Sequence, residues 1–432
     1  MRSFREEEFY YCYEELNIER GSTDFLRIVI AMALFIFAAG ISASFLLYPF
    51  MVYRRAQDLS DRGYYDAAVS DFRDIMYYRD SPAQIVRCIY EKGRALYKNG
   101  DYQGAEKIFL SLSGNSYRDS LRLLLQSRYR IAEECLKAGE YREASGRFLA
   151  LKDYHDSHAK YLEAVYQLIF EEYGAGRVTE ALSMLPVFIE EGYFSGSVLE
   201  EGDHEAALPL ARKTSLNLYA DLSDSPGEWS DYTGSACIYR VTPSRICCLS
   251  AAHVLKVLSG HQTELTFFDG GVCEALIEPV FTDDPESDLG MFFVPTASVP
   301  IETLMTLKEI CFDPSYLEDL SPNEPAFIYS ADWYHKRPYT GDPSEDLIGE
   351  TAFLGFDTYA MTDGCYDNGR FLVFARASKE GQSGSPVFDD RGRCIALASS
   401  YYYRQQGESV VYEVDCHCRL EAAEELFKSM EI

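Results

Sequence analysis

Three short stretches of this chain carry residue types that together can do acyl-transfer chemistry. In Lys379-Glu380-Gly381-Gln382-Ser383-Gly384-Ser385-Pro386-Val387-Phe388 a serine stands between glycines, flanked by two runs that read as strands, Phe371 to Ala375 and Cys394 to Ser400. A hydroxyl becomes a nucleophile only where the backbone turns sharply enough to hold it in the open, and nearby glycines permit such a turn. The N–H groups of Gly381 and Ser383 could form an oxyanion hole at the same place. A plain Gly/Ser hairpin would use the same residues, so Ser383 needs partners before it counts as a nucleophile.

Partners of the right kind lie upstream. In Leu249-Ser250-Ala251-Ala252-His253-Val254 an apolar run, Ile246 to Leu249, ends in small residues and then a histidine, whose ring is left free to reach across a cleft. In Ser287-Asp288-Leu289-Gly290-Met291-Phe292-Phe293-Val294 an acid stands at the mouth of a buried strand. An aspartate there can accept the second imidazole N–H and fix the tautomer. Asp283 and Asp284 are rival acids; Asp288 is preferred because it directly precedes the apolar run.

The three stretches, in the order His, Asp, Ser, resemble the motifs of trypsin-like (chymotrypsin-fold) serine peptidases, and the resemblance covers roughly residues 229 to 432. It implies an all-β double-barrel domain with a C-terminal helix, Leu420 to Met430. It also implies that His253 is the general base, Asp288 its orienting partner and Ser383 the nucleophile, with Gly381 and Ser383 forming the oxyanion hole. Where animal members place an aspartate before the serine this chain has Gln382, so activation by a freed amine is not expected. The domain looks more like the bacterial branch, the HtrA-type and glutamyl-endopeptidase-like enzymes. By the same resemblance Ala377 and Ser378 lie near the base of the substrate pocket, and Ser399, Ser400 and Tyr401 along a wall. No acid stands where trypsin selects Arg or Lys. Tyr401, if it projects inward, narrows the pocket toward small side chains. The implied chemistry needs no metal or organic cofactor, and the substrate is a protein or peptide.

The elements that must position these residues follow from the rest of the chain. Its 432 residues suggest two or three domains, and 47% hydrophobic content with 14% aromatic is ample for real cores. The formal net charge is -29, and residues 229 to 432 hold 33 acidic against 14 basic side chains. Such a surface repels phosphate backbones, which argues against nucleic acid as a partner.

Residues 1 to 24 read as a short polar tail. From Ile28 to Tyr53 no residue is charged, and 26 residues at 1.5 Å each span about 39 Å, more than a hydrocarbon layer of roughly 30 Å needs. A transmembrane helix is expected over 25–53, with Tyr48 and Tyr53 at the interface. Ser42-Ala43-Ser44 could pass for a signal-peptide cleavage site, but Phe45-Leu46-Leu47 continues the apolar run and argues for retention. Arginines are similar in number on both sides of the span. A short N-terminal tail before a single anchor favours a cytoplasmic N-terminus and an extracytoplasmic C-terminal part.

Residues 54 to 200 contain a repeat. Gly-Tyr-Tyr-Asp-Ala-Ala at Gly63 recurs in related form at Gly100, Gly139 and Gly176, at intervals of 37, 39 and 37 residues. A second marker keeps pace: Tyr78-Arg79-Asp80-Ser81, Tyr117-Arg118-Asp119-Ser120 and Tyr154-His155-Asp156-Ser157. Two markers of one period predict stacked helical hairpins, with a glycine turn inside each unit and Asp-Ser capping the next helix. The unit resembles tetratricopeptide-like repeats, which implies an all-α solenoid that serves as a spacer or binds a protein partner. Residues 201–228 read as a linker, although Ala206 to Lys213 fits a helix.

Nine of the twelve cysteines fall in residues 229 to 432, with no Cys-x-x-Cys pair, so a structural zinc site is weakly supported. An extracytoplasmic domain would permit disulfides. His261, His335 and His417 are expected to be structural. A reading from another class is a membrane-anchored scaffold whose protease-like domain binds without cleaving; the intact set His253, Asp288 and Ser383 stands against it.

Overall fold

The structure is a computed structural model that describes residues 5–42, 45, 47–114, 117–223, 231–282, 287–331, 341–359, 369–406 and 409–429. The chain divides into two compact units, residues 1–164 and 165–432. The division falls inside a helix of the repeats and not at residue 200, where the repeat pattern fades.

The first unit opens with α1 (Arg5–Ser42), whose segment Asp24–Ser42 has 19 residues, a mean hydropathy of 2.3 and no buried part. It is long and apolar enough to cross a membrane, a property that signal sequences near an N-terminus share. α1 is described to Ser42, Phe45 and Leu47 have π-helical backbone, and α2 (Tyr48–Asp61) follows with Pro49 in its first turn. Val52, Tyr53 and Ala56 are buried against Ala68, Phe72 and Ile75. Val52, Tyr53 and Ala56 thus form the core-facing stripe of α2, while Tyr48, Phe50 and Met51 are exposed.

Helices α3 (Tyr65–Asp74), α4 (Ser81–Lys98), α5 (Tyr102–Ser113), α6 (Ser120–Lys137), α7 (Tyr141–Leu151) and α8 (Ser157–Gly174) follow in pairs. Gly63, Gly100 and Gly139 follow α2, α4 and α6, the first helices of three successive hairpins, at φ of +86°, +84° and +78°, a conformation that glycine adopts without a Cβ penalty. Phe72, Phe109 and Phe148 fill the centre of successive hairpins and are completely buried. Each hairpin keeps its own small core, as stacked repeats do.

The second marker has a different role from the one expected. Asp80 and Asp119 occupy the N-cap positions of α4 and α6 but make no side-chain cap bond. Instead Tyr53 donates its hydroxyl to Asp80 at 2.6 Å, Tyr90 donates to Asp119, and Tyr129 donates to Asp156 at 2.5 Å. The buried Ser81, Ser120 and Ser157 each donate back to the carbonyl of the motif tyrosine, Tyr78, Tyr117 and Tyr154. Between them Arg79, Arg118 and His155 adopt φ of +50°, +47° and +52°. Packing of each side chain against the rings of Tyr53 and Tyr78, Tyr90 and Tyr117, or Tyr129 and Tyr154 offsets that strain.

The second unit begins with the last hairpin, which carries α9 (Val178–Leu182) and α10 (Leu185–Glu190). Gly192, at φ +67°, stands where Arg79, Arg118 and His155 stood in earlier repeats. Where the aspartate of the marker would follow there is Tyr193, whose hydroxyl donates to the Met305 carbonyl at 2.8 Å. The last hairpin thus ends on the β region. After α11 (His204–Arg212) the stretch read as a linker supplies a central strand, β1 (Ser215–Asp221). It pairs with β2 (Asp231–Val241) and with β4 (Gln262–Phe267), so its apolar residues Leu216 and Leu218 belong to the sheet core.

The remaining elements are β3 (Arg245–Ala251), α12 (Ala252–Leu258), β5 (Val272–Leu276), β6 (Val280–Phe281), β7 (Leu289–Pro295), α13 (Ile301–Leu304), β8 (Pro325–Ser330), β9 (Leu347–Tyr359), β10 (Gly369–Ala375), β11 (Pro386–Asp389), β12 (Cys394–Gln406), β13 (Ser409–Cys418) and α14 (Ala423–Ser429). The first sheet has seven strands in the order β5-β4-β1-β2-β3-β7-β6, and the second is a closed barrel, β10-β13-β12-β11-β8-β9. Every described pairing is antiparallel. This is the two-part all-β architecture with a C-terminal helix that trypsin-like peptidases use, with only the second part closing fully on itself. Ile328, Phe353, Leu372, Phe374, Val387 and Ile395 make the core of the closed barrel.

Candidate active site

Strand register brings the histidine and the aspartate together. Ala251, the last residue of β3, pairs with Leu289, the first of β7. One step beyond that pair the Ala252 N–H donates to the Asp288 carbonyl at 3.0 Å, and His253 begins the first turn of α12. The carboxylate of Asp288 is wholly buried: Oδ1 accepts the His253 backbone N–H at 3.0 Å and Oδ2 lies 2.6 Å from His253 Nδ1. A carboxylate on Nδ1 leaves Nε2 as the free acceptor edge of a neutral imidazole. The His253 side chain is 31% exposed, so that edge can face a substrate.

The serine lies on a turn held from both sides. Gly381 and Gly384 have φ of +87° and +90°. A Cβ on Gly384 would lie 2.0 Å from the Ser235 carbonyl oxygen and 2.2 Å from Ser250 Oγ, so this position tolerates only glycine. From β2, Ser235 donates its N–H to the Ser383 carbonyl at 2.9 Å and its hydroxyl to the Gly381 carbonyl at 3.0 Å. From the closed barrel, the buried amide of Gln382 accepts the Lys379 N–H at 2.9 Å and donates to Ser330 Oγ at 3.1 Å. With the carbonyls of Gly381 and Ser383 engaged, their N–H groups have no acceptor among the described residues. Two such N–H groups on one turn can receive an oxyanion.

The Ser383 hydroxyl donates to the Ser399 carbonyl at 3.0 Å and, among the described residues, makes no hydrogen bond to His253. Ser399 in turn donates its own hydroxyl to Asp288 Oδ2 at 2.6 Å. Asp288 thus bonds directly to His253 and Ser399, while Ser383 reaches that cluster through Ser399. Catalytic hydrogen bonds that are loose without substrate tighten when it binds.

The expected pocket residues are distributed differently from their sequence placement. Ser399 is buried and committed to Asp288, so its hydroxyl is a support for the acid and does not line a wall. Ser400 and Tyr401 lie on β12 opposite Cys416 and Asp415; the Tyr401 side chain lies outside the described residues. Ala377 and Ser378 are tied down by Asp415, whose carboxylate accepts both backbone N–H groups at 2.7 Å. Burial pushes the Asp415 pKa up, but His417, the Ser378 hydroxyl and these N–H groups outweigh it and hold the carboxyl below the ordinary aspartate value. Asp415, Arg376 and Ser235 have no motif, and only strand pairing reveals them. Asp283, Asp284 and His335 lie outside the described residues. His417 is buried with its ring 5.0 Å from that of Phe374, and His261 meets the Ser259 carbonyl at 3.1 Å. Cys88, Cys135, Cys237, Cys248, Cys273, Cys311, Cys394 and Cys418 are free thiols.

No protein-family model matches this chain, and no curated protein does. Among solved structures it is similar to the HtrA-type protease AlgW with a tripeptide, at 15% identity and a TM-score of 0.38, covering 53% of this chain and 63% of that one. It is also similar to the Rv3671c protease in its inactive form, at 11% identity and a TM-score of 0.36, covering 54% of this chain and 99% of that one. The chain therefore spans less than two thirds of the length of the AlgW chain it matches. Likeness at this level leaves the assignment of chemistry to the geometry described above.

Proposed function

We infer that this chain is a membrane-anchored serine endopeptidase. The observation that carries the reading is the buried Asp288 carboxylate held on His253 Nδ1, with the Ser383 turn reaching the same carboxylate through Ser399. Rotation of the Ser383 side chain from the Ser399 carbonyl toward His253 Nε2 readies it for attack. His253 takes the hydroxyl proton as Oγ adds to a peptide carbonyl, and Asp288 stabilises the imidazolium. The N–H groups of Gly381 and Ser383 hold the oxyanion. His253 returns the proton to the leaving amine, and water then frees the acyl-enzyme.

Asp24–Ser42 serves as the anchor and residues 1–24 as a cytoplasmic tail, with the tetratricopeptide-like hairpins as a spacer or partner-binding surface and the peptidase unit outside. Cys237, Cys248, Cys273, Cys311, Cys394 and Cys418 are free thiols and add no support for that side of the membrane, so protease protection of the peptidase unit in sealed vesicles is the test of orientation. Among trypsin-like enzymes the domain resembles the bacterial branch, HtrA-type and glutamyl-endopeptidase-like, in this reading.

A second reading is a scaffold that binds peptides without cleaving them, and the Ser383 hydroxyl bonded to Ser399 instead of His253 favours it. Reaction of the full-length chain in detergent with a fluorophosphonate separates the two. Labelling that disappears in Ser383→Ala supports the peptidase, and an unlabelled wild-type chain supports the scaffold.

A further inference from the structure

The first helical hairpin, α2 and α3, carries an apolar surface at one end. Arg55 of α2 donates to Asp71 of α3 at 2.6 Å, and Tyr53 donates to Asp80 at 2.6 Å and meets the Tyr78 ring at 5.7 Å. Residues 75–78 therefore return beside the first turns of α2, in a turn closed by the Tyr78 N–H on the Ile75 carbonyl at 2.9 Å. Met76 and Tyr77 stand at the tip of that turn, and they and Tyr48 and Met51 of α2 are each more than half exposed. Two cations flank them: the Arg54 guanidinium lies 5.9 Å from the centre of the exposed Phe50 ring, and Arg79 packs on Tyr53 and Tyr78. The exposed Asp74 lies within electrostatic reach of Arg55. Where the first repeat has Met76 and Tyr77 before its marker tyrosine, the second has Asn115 and Ser116 and the third has Lys152 and Asp153. Polar residues suit a turn that faces water, and the first repeat departs from them.

What covers this surface follows from the chain that leads into it. The 19 residues of Asp24–Ser42, at 1.5 Å each, span about 28 Å, close to a whole hydrocarbon layer of roughly 30 Å. Tyr48 follows Ser42 by six residues, a reach of at most about 22 Å, and Phe45 and Leu47 between them are apolar and exposed. A span that crosses the bilayer thus tethers the start of α2 at the headgroup layer. Tyrosine rings settle there with the ring body in the apolar zone and the hydroxyl in water, and guanidinium groups meet lipid phosphates. Resting on the reading of Asp24–Ser42 as a membrane anchor, we propose that Tyr48, Met51, Met76 and Tyr77, flanked by Arg54 and Arg79, seat the first hairpin in the phospholipid headgroup layer.

The test uses the full-length chain in vesicles of phosphatidylcholine and phosphatidylglycerol whose acyl chains are brominated near the headgroup, since bromine quenches tryptophan emission on contact. Tyr77→Trp and Asp153→Trp place an indole just before the marker tyrosine of the first and third repeats, and the wild-type signal of Trp229 and Trp333 is subtracted. Brominated lipid is expected to reduce the Tyr77→Trp emission at least about two-fold more than that of Asp153→Trp. Met51→Trp gives the same answer if Tyr77→Trp does not fold. Equal quenching of both positions, in a chain that floats with the vesicles, overturns the lipid contact and leaves the anchor standing, whether the surface is then bare or covered by a second copy. A chain that does not float with the vesicles overturns the anchor reading, and this inference falls with it.

Discussion

Ser399 and Asp288, 111 residues apart in sequence, are joined by a hydrogen bond of 2.6 Å between a serine hydroxyl and a buried carboxylate oxygen. The same oxygen lies 2.6 Å from His253 Nδ1, so Ser399 helps to fix where the imidazole points. Ser399→Ala removes one donor from a carboxylate that water cannot reach. The expected outcome is a fall in kcat of about ten-fold with little change in KM, since roughly 1–3 kcal/mol is lost when a buried polar group gives up a partner. A rise in KM alone, at constant kcat, would show that Ser399 serves binding and not the orientation of His253.

Gly384→Ala is the sharpest test of the turn. The added Cβ would meet the Ser235 carbonyl oxygen at 2.0 Å, and the φ of +90° disfavours any L side chain. Fluorophosphonate labelling is expected to fall at least about ten-fold even where far-ultraviolet circular dichroism is retained. Labelling at the wild-type rate would mean that the Ser383 turn is not the one described.

In the helical repeats the Tyr90 hydroxyl on Asp119 is the tie to remove. Hydrogen bonds to charged groups contribute roughly 1.5–3 kcal/mol, and the partial exposure of Asp119 reduces this to about 1 kcal/mol. Tyr90→Phe should therefore lower the melting temperature of the repeats by a few degrees and leave labelling of Ser383 as it was.

The same tie predicts an acid dependence. The hydrogen bond from Tyr90 holds the Asp119 carboxyl below its ordinary pKa, and those from Tyr53 and Tyr129 do the same for Asp80 and Asp156. A carboxyl depressed in the folded state contributes stability that is present above its unfolded pKa of about 3.9 and is lost as pH falls through the folded value. The melting temperatures of wild type and Tyr90→Phe should thus differ at pH 7 and draw together as pH falls below the unfolded value of about 3.9 and through the lower folded one. A difference that persists undiminished at low pH would place the Tyr90 contribution in ring packing and not in its hydroxyl.

N-terminal sequencing of the mature chain decides between anchor and leader. The anchor reading predicts that the segment Asp24–Ser42 is retained and that the protein stays with membranes through an alkaline carbonate wash. A mature chain that begins after Ser44 would make that segment a signal sequence.

Much of this organisation was legible before any coordinates, and the parts that were not share a cause. The repeat period was readable because glycine turns and Tyr-x-Asp-Ser markers are local and recur. What the markers do was not, because the Asp80 partner is Tyr53, 27 residues earlier on another helix. Val52, Tyr53 and Ala56 read as part of an apolar span, and their place in the repeat core emerges only once Ala68 and Phe72 pack on them. Strand β1 reads as linker in the sequence because the Gly, Ser, Asp and Pro residues around it outweigh Leu216 and Leu218, whose burial depends on β2 and β4. At the site, His253 and Asp288 could be matched from the small residues before one and the apolar run after the other. The commitments of Ser399 and Asp415 depend on the register of β12 and β13, which no local motif encodes.

The most direct measurement is fluorophosphonate labelling of the full-length chain, with the modified peptide mapped by mass spectrometry. The account predicts a single adduct on Ser383, absent in Ser383→Ala and reduced at least about a hundred-fold in His253→Ala, the order of magnitude that a positioned general base supplies. An adduct on another residue, or equal labelling of wild type and His253→Ala, would contradict it.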